Sequence, residues 1–137
     1  MRIGIDIDNV ISNFNEELLN EYINHDKNLR NSGVINKKAE YIRRGMFDWS
    51  ETEEQEFYKS NIERIAKNLK VKHGAKKYID KLKEEGHYIC IITGRDNGEY
   101  SDPYNMTKEW LDNNSIKYDK LILTNAYTKK EKAIKCL

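Results

Sequence analysis

Asp6 and Asp8 stand two residues apart in "IGIDIDNV", residues 3–10, where Ile3, Ile5 and Ile7 alternate with Gly4 and the two acids. Alternation of this kind marks a β-strand. Aspartate is disfavoured in strands, so the acids ask for a reason beyond a wet face. On an extended strand, side chains two apart leave on the same side, about 6–7 Å apart along the chain. Carboxylates so close repel each other unless a divalent cation or a shared proton lies between them. Mg2+ is the cation expected, because it takes few carboxylates and keeps water and phosphate oxygens as its other ligands.

Two further stretches supply complementary groups. In "IITGRDNGEY", residues 91–100, Thr93 offers a hydroxyl and Gly94 an amide with no side chain in the way, which suits a phosphate oxygen at a strand-to-loop junction. In "TNAYTKKEKAIKCL", residues 124–137, a lysine is available to the same ligand, at Lys129, Lys130 or Lys132. An acid pair, a hydroxyl and an ammonium make up the parts of phosphoryl transfer: nucleophile, proton donor, phosphate clamp and charge neutraliser.

The elements that must position these groups follow from hydrophobic periodicity. A strand is predicted over 2–8 and a helix over 13–30, with Phe14, Leu18, Leu19, Tyr22 and Ile23 at helical spacing. From 31 to 70 there is no strand signal. A helix is expected near 36–45, then "MFDWS", then a helix opened by Ser50 with Glu53 three residues on, a capping-box pattern. Its apolar stripe is Phe57, Ile62, Ile65, Ala66 and Leu69.

Another helix is predicted over 74–85, with Ala75, Tyr78, Ile79 and Leu82 on one face and Gly86 as its left-handed terminator. The continuous apolar run Tyr88 to Ile92 suits a parallel strand covered on both faces. "LIL" at 121–123 repeats that signal after a helix with Pro103 near its start and Met106, Trp110 and Leu111 along it. Helices between apolar strands predict an α/β fold, a Rossmann-like three-layer parallel sheet. Ligands of such sheets bind beyond the carboxyl ends of the strands, where both acids and Thr93 fall.

Composition narrows the partners. The 137 residues suit one domain with an insertion, and the net charge of +1, with both signs interspersed, offers no basic stripe for a nucleic-acid polymer. Neither a leader sequence nor an apolar run of membrane-spanning length is evident, so a cytoplasmic protein without membrane contact is expected. The two cysteines, Cys90 and Cys136, make no disulfide framework, and His25, His73 and His87 have no ligand spacing. Phe47 and Trp49, on a connecting segment, are candidates to stack on a nucleobase, whereas Phe57 is expected in the core. Arg43, Arg44 and Arg95 are candidates to contact phosphate or base, with solvation at the surface the expectation.

"DIDNV" resembles the first motif of the haloacid dehalogenase superfamily of phosphohydrolases, "IITGR" its second, and the lysines after "LILT" its third. Within that superfamily the chain is most similar to the cytosolic 5′(3′)-deoxyribonucleotidase (5′-nucleotidase type C) group. The segment "TKEWLDNNSIKYDKLIL" looks like the one joining that group's second and third motifs. The resemblance implies a haloacid dehalogenase-like core at 1–13 and 71–137, and a small helical cap inserted after the first strand, at 14–70.

It further implies that Asp6 is the nucleophile, that Asp8 protonates the leaving alcohol, that both hold Mg2+, and that Thr93 and Gly94 bind the phosphoryl group. Lys132 is the favoured lysine, since Cys136 follows it by four places as in those relatives. The superfamily's fourth motif, an acidic pair after a further strand beside the first, has no counterpart. The expectation is therefore that the chain is part of a longer protein, or that a second copy or partner chain covers the edge strand. The activity implied is Mg2+-dependent hydrolysis of a small phosphorylated substrate, a (deoxy)nucleoside 5′-monophosphate. The alternatives are a phosphatase of another small phosphometabolite and an inactive phospholigand-binding module.

Overall fold

The computed structural model describes residues 1–95 and 99–124. Its elements follow the order β1 (Arg2–Ile5), α1 (Phe14–Leu29), α2 (Glu51–Lys67), α3 (Ala75–Glu84), β2 (Tyr88–Thr93), α4 (Pro103–Asn113) and β3 (Lys120–Leu123). Two compact units divide them, one of Met1–Asn13 with Lys67–Leu137 and the other of Phe14–Ala66.

The first unit is built on β2. Ile89 to Thr93 are all buried, and because neighbouring strand residues face opposite ways, both faces of β2 are covered. Each fully buried isoleucine there contributes about 1.5–3 kcal/mol. Parallel ladders join β1 to β2, from Arg2 with Tyr88 to Ile5 with Ile91, and β2 to β3, from Cys90 with Lys120 to Thr93 with Leu123. Among the described residues the sheet order is β1-β2-β3, so β1 lies at an edge and its residues alternate between exposed and half-buried. The fold is thus α/β with a parallel sheet, as the patterning predicts. All three strands end on one edge.

The helices of this unit end where their sequences direct. At α3 the His87 amide donates to the Leu82 carbonyl at 3.1 Å, and Gly86 takes a φ of 85° in the left-handed region that a side chain resists. At α4 Asp102 caps the first turn by accepting from the Asn105 amide at 3.3 Å, with Pro103 in the first turn. Trp110 and Leu111 of α4 are buried, and the Trp110 indole donates to the Leu69 carbonyl at 2.8 Å. On α3 only Ile79 is fully buried; Tyr78, expected on the apolar face, is 67% exposed.

A second clamp closes the amino-terminal edge of the sheet. Asp119 donates its amide to the Ile89 carbonyl at 2.9 Å, and its carboxylate accepts the Ile89 amide at 2.7 Å and Lys83 Nζ at 2.6 Å. The Lys83 hydrogen bond, with the Ile89 amide second, holds the Asp119 carboxyl below the usual carboxylate range.

The second unit pairs α1 with α2. Ser50 Oγ accepts the Glu53 amide at 3.2 Å while Glu53 Oε1 accepts the Ser50 amide at 3.0 Å, which is the capping box in full. Arg30 forks onto both oxygens of Glu53 at 2.9 Å each, and with the Ser50 contacts this lowers the Glu53 carboxyl to about 2. Arg64 forks in the same way onto Glu21, tying α2 to α1. The helix expected near 36–45 is absent: Asn36 Oδ1 accepts the Lys38 amide at 3.1 Å, and turns carry the chain to Gly45. A helix of ten residues is marginal without a buried face, and the asparagine side chain offers the backbone a competing turn.

Asp119→Asn should lower stability by about 1–2 kcal/mol at neutral pH, the cost of weakening a paired acceptor. Because folding lowers the Asp119 carboxyl, its contribution is whole above the unfolded value of 3.8 and fades as pH falls through the lower folded value. Urea melts of wild type and variant should therefore converge only below that pH; a gap that persists unchanged into stronger acid would refute the clamp.

Candidate active site

β1 ends earlier than its alternation predicts, at Ile5 rather than residue 8, and the acids lie just past it. The cause is local. The Ile7 amide donates to Asp6 Oδ1 at 2.8 Å, and the Ile7 carbonyl accepts from Val10, Ile11 and Ser12 at 3.0, 2.8 and 3.0 Å. Both backbone groups of Ile7 are therefore spent on a tight turn instead of a ladder. Asn9 completes it with a φ of 66°, a left-handed conformation that asparagine tolerates better than most residues. Ile7 and Ile11 are buried, and Asp6 and Asp8 on either side of Ile7 stay half-buried.

The turn is pinned from the other segment of the same unit. The Lys72 amide donates to the Ile11 carbonyl at 2.6 Å, Lys72 Nζ to the Asn9 carbonyl at 3.2 Å, and the Asn13 amide to the Lys70 carbonyl at 3.3 Å. These bonds hold the acidic turn at the carboxyl edge of the sheet. β2 ends on the same edge with Thr93, Gly94 and Arg95, and β3 with Thr124, whose amide donates to the Thr93 carbonyl at 3.0 Å. Thr93 is 1% exposed, and its Oγ1 has no hydrogen-bond partner among the described residues. Gly94 is exposed.

Arg95, expected at the surface, is buried. Its side chain is 1% exposed, with Nη2 on Asp8 Oδ1 at 3.0 Å and Nη1 on Thr107 Oγ1 at 3.0 Å. Tyr100, also buried, lies with its ring centroid 5.9 Å from the guanidinium carbon. Burying a guanidinium is costly unless its donors are met, and here Asp8 and Thr107 supply acceptors. The available signal was position: Arg95 follows Thr93 and Gly94 at a strand end already singled out for anions. Arg43 and Arg44 are exposed as expected and lie over the rings of Tyr58 and Tyr41, at 3.7 and 4.9 Å.

Phe47 and Trp49 are core residues of the second unit. Phe47 is 1% and Trp49 8% exposed, and Trp49 stacks on Tyr22 at 4.7 Å between centroids. Phe57 meets Tyr22 edge-on at 5.1 Å, while Phe47 lies 5.4 Å from Trp49. The Trp49 indole donates to the buried Asp26 carboxylate at 2.9 Å, whose other oxygen accepts the Gly33 amide at 2.7 Å. Ring packing against Tyr22 and Phe57 accounts for the burial of Phe47 and Trp49 without a base. Lys129, Lys130 and Lys132 lie outside the described residues.

The arrangement belongs to the class of α/β proteins that gather polar groups beyond the carboxyl ends of a parallel sheet. Over 131 residues, 96% of its length, the chain is 30% identical to a Bacillus subtilis (strain 168) protein named "Putative nucleotidase YqfW". The chain spans 63% of that relative's length. No family model matches the sequence and no solved structure matches the fold. No helix among the described residues is long and apolar enough to cross a membrane.

Phe47→Ala tests the core assignment of the aromatic segment. It should cost about 3–5 kcal/mol in urea unfolding, the toll of deleting a buried ring. A loss below 1 kcal/mol would show that the ring is dispensable to packing and would return it to the ligand-binding candidates.

Proposed function

We propose that the chain carries the nucleophilic centre of a nucleotidase, a hydrolase of (deoxy)nucleoside 5′-monophosphates that works through an aspartyl-phosphate on Asp6. The observation that carries this reading is the joint placement of Asp6, Asp8 and Thr93 where β1 and β2 end together. The similarity to a protein named as a nucleotidase supports it. The second unit, inserted in sequence between β1 and α3, has the place of a substrate-selecting cap.

In the proposed reaction an Asp6 carboxylate oxygen attacks phosphorus, the ester P–O bond breaks, and Asp8 passes its proton to the departing nucleoside oxygen. A water then attacks the phospho-Asp6, giving its proton to Asp8 as the acyl-phosphate P–O bond breaks, which returns both acids to their starting state. Thr93 Oγ1, buried without a partner among the described residues, supplies a donor for a phosphoryl oxygen. Gly94 leaves its amide open to the same group. A lysine from the segment after β3, Lys132 foremost, is proposed to balance the phosphoryl charge.

The donors at this edge fit a hard cation, because Asp6 and Asp8 offer only oxygen. Among the described residues no group of three or more His, Cys, Asp or Glu side chains converges. Two residues with oxygen donors are a share of a coordination shell that Mg2+ accepts, since it keeps water and phosphate oxygens as further ligands. Asp6 through its carboxylate and Asp8 through its carbonyl would hold the ion, which when bound offsets phosphoryl charge and orients the substrate.

Phosphate release from a panel of nucleoside 5′-monophosphates tests the reading. Wild type should release phosphate in Mg2+ and stop when the metal is chelated, and Asp6→Asn should lose at least about 10³-fold, the scale on which a removed nucleophile is felt. Wild-type rates in Asp6→Asn would end the mechanism. Turnover of sugar phosphates with no nucleotide hydrolysed would keep the chemistry and replace the substrate.

A further inference from the structure

We infer that Arg95 is the positioning residue for Asp8, fixing the orientation of its carboxyl group at the carboxyl edge of the sheet; the catalytic half of this inference rests on the proposed hydrolase reading. A guanidinium has hydrogen-bond donors and no acceptor. The oxygen it holds, Oδ1 at 3.0 Å, is therefore an acceptor, and Oδ2 is left as the oxygen that can meet a ligand.

Arg95 can hold that oxygen still because it is itself held. Nη1 donates to Thr107 Oγ1 at 3.0 Å, and Thr107 is fully buried on α4 between Met106 and the Trp110 turn. The strut thus runs from the turn after β1, through the residue two places beyond β2, to the first turns of α4. Its own side chain is 1% exposed while that of Asp8 is 27% exposed. Arg95 is sealed from ligand and acts through Asp8, which reaches solvent.

Two features argue that more than packing is served. Replacing a buried pair by apolar residues of similar volume is often neutral or stabilising, so an ion pair is a poor choice for stability alone. A lysine would not do the same work, since one ammonium cannot span two acceptors with a planar fork. Tyr100 is buried nearby, its ring centroid 5.9 Å from the guanidinium carbon, within cation–π reach.

The test measures kcat, KM and melting temperature for Arg95→Met, Arg95→Lys, Thr107→Val and Asp8→Asn, with the Arg95→Met/Asp8→Asn double variant completing a stability cycle. Arg95→Met should lose roughly 10- to 100-fold in kcat, the usual toll of removing a partner that orients an active-site ligand. Its KM should stay within about threefold of wild type, Arg95→Lys should recover only part of the loss, and Thr107→Val should lose a few-fold. The melting-temperature decrements of Arg95→Met and Asp8→Asn should be non-additive, as for groups in contact.

An additive cycle, or a loss confined to KM, would overturn the inference. Should wild type hydrolyse nothing, the hydrolase reading fails and the cycle alone decides whether Arg95 holds Asp8. If Arg95→Met does not fold, Arg95→Lys and Thr107→Val carry the kinetic decision: unchanged kcat in both would overturn the role.

Discussion

A positive charge buried at the carboxyl edge of the sheet constrains everything around it. Arg95 leaves water only because Asp8 and Thr107 meet it at 3.0 Å each, so the turn after β1, the end of β2 and the start of α4 must come to one place. Remove either Asp8 or Thr107 and a desolvated guanidinium loses a partner, which costs more than the pair contributes when intact. The interaction joins residues 87 positions apart and so couples the beginning of the chain to its second half. Local secondary structure supplies the pieces. This pair sets their register at the edge where the acids stand.

The same edge shows how a strand is made to stop. An isoleucine at position 7 would continue the β1 ladder on propensity alone. Asp6 takes its amide, three downstream amides take its carbonyl, and the chain turns at Asn9 instead. Ile7 and Ile11 still bury their side chains, so the turn sacrifices ladder hydrogen bonds without sacrificing core. The outcome is a short turn, fixed by its own hydrogen bonds, that carries two carboxylates.

What the sequence made legible was local and periodic. The buried run of β2, the capping box at Ser50 and Glu53, Gly86 after α3 and Pro103 opening α4 each depend on neighbours within a few residues, and each stands as expected. What stayed hidden depended on distant partners. The stretch 36–45 has helical composition but no apolar face to bury, and an asparagine turn wins. Phe47 and Trp49 looked like connecting residues because the ring that stacks on Trp49 comes from Tyr22 on α1. Arg95 looked solvated because nothing within several residues announces Asp8 as its partner. The acid pair, Thr93 and Gly94 stand out by type and by strand-end position; the roles given to them are those that the resemblance implies.

The central claim, that Asp6 carries the phosphoryl group, is tested most directly by rapid acid quench during turnover of a nucleoside 5′-monophosphate, followed by borohydride reduction and peptide mapping. Borohydride converts an aspartyl-phosphate to homoserine. The account predicts homoserine at position 6 and at no other aspartate, in an amount that rises with substrate occupancy. Steady turnover with position 6 recovered wholly as aspartate, or with homoserine at another position, would contradict it.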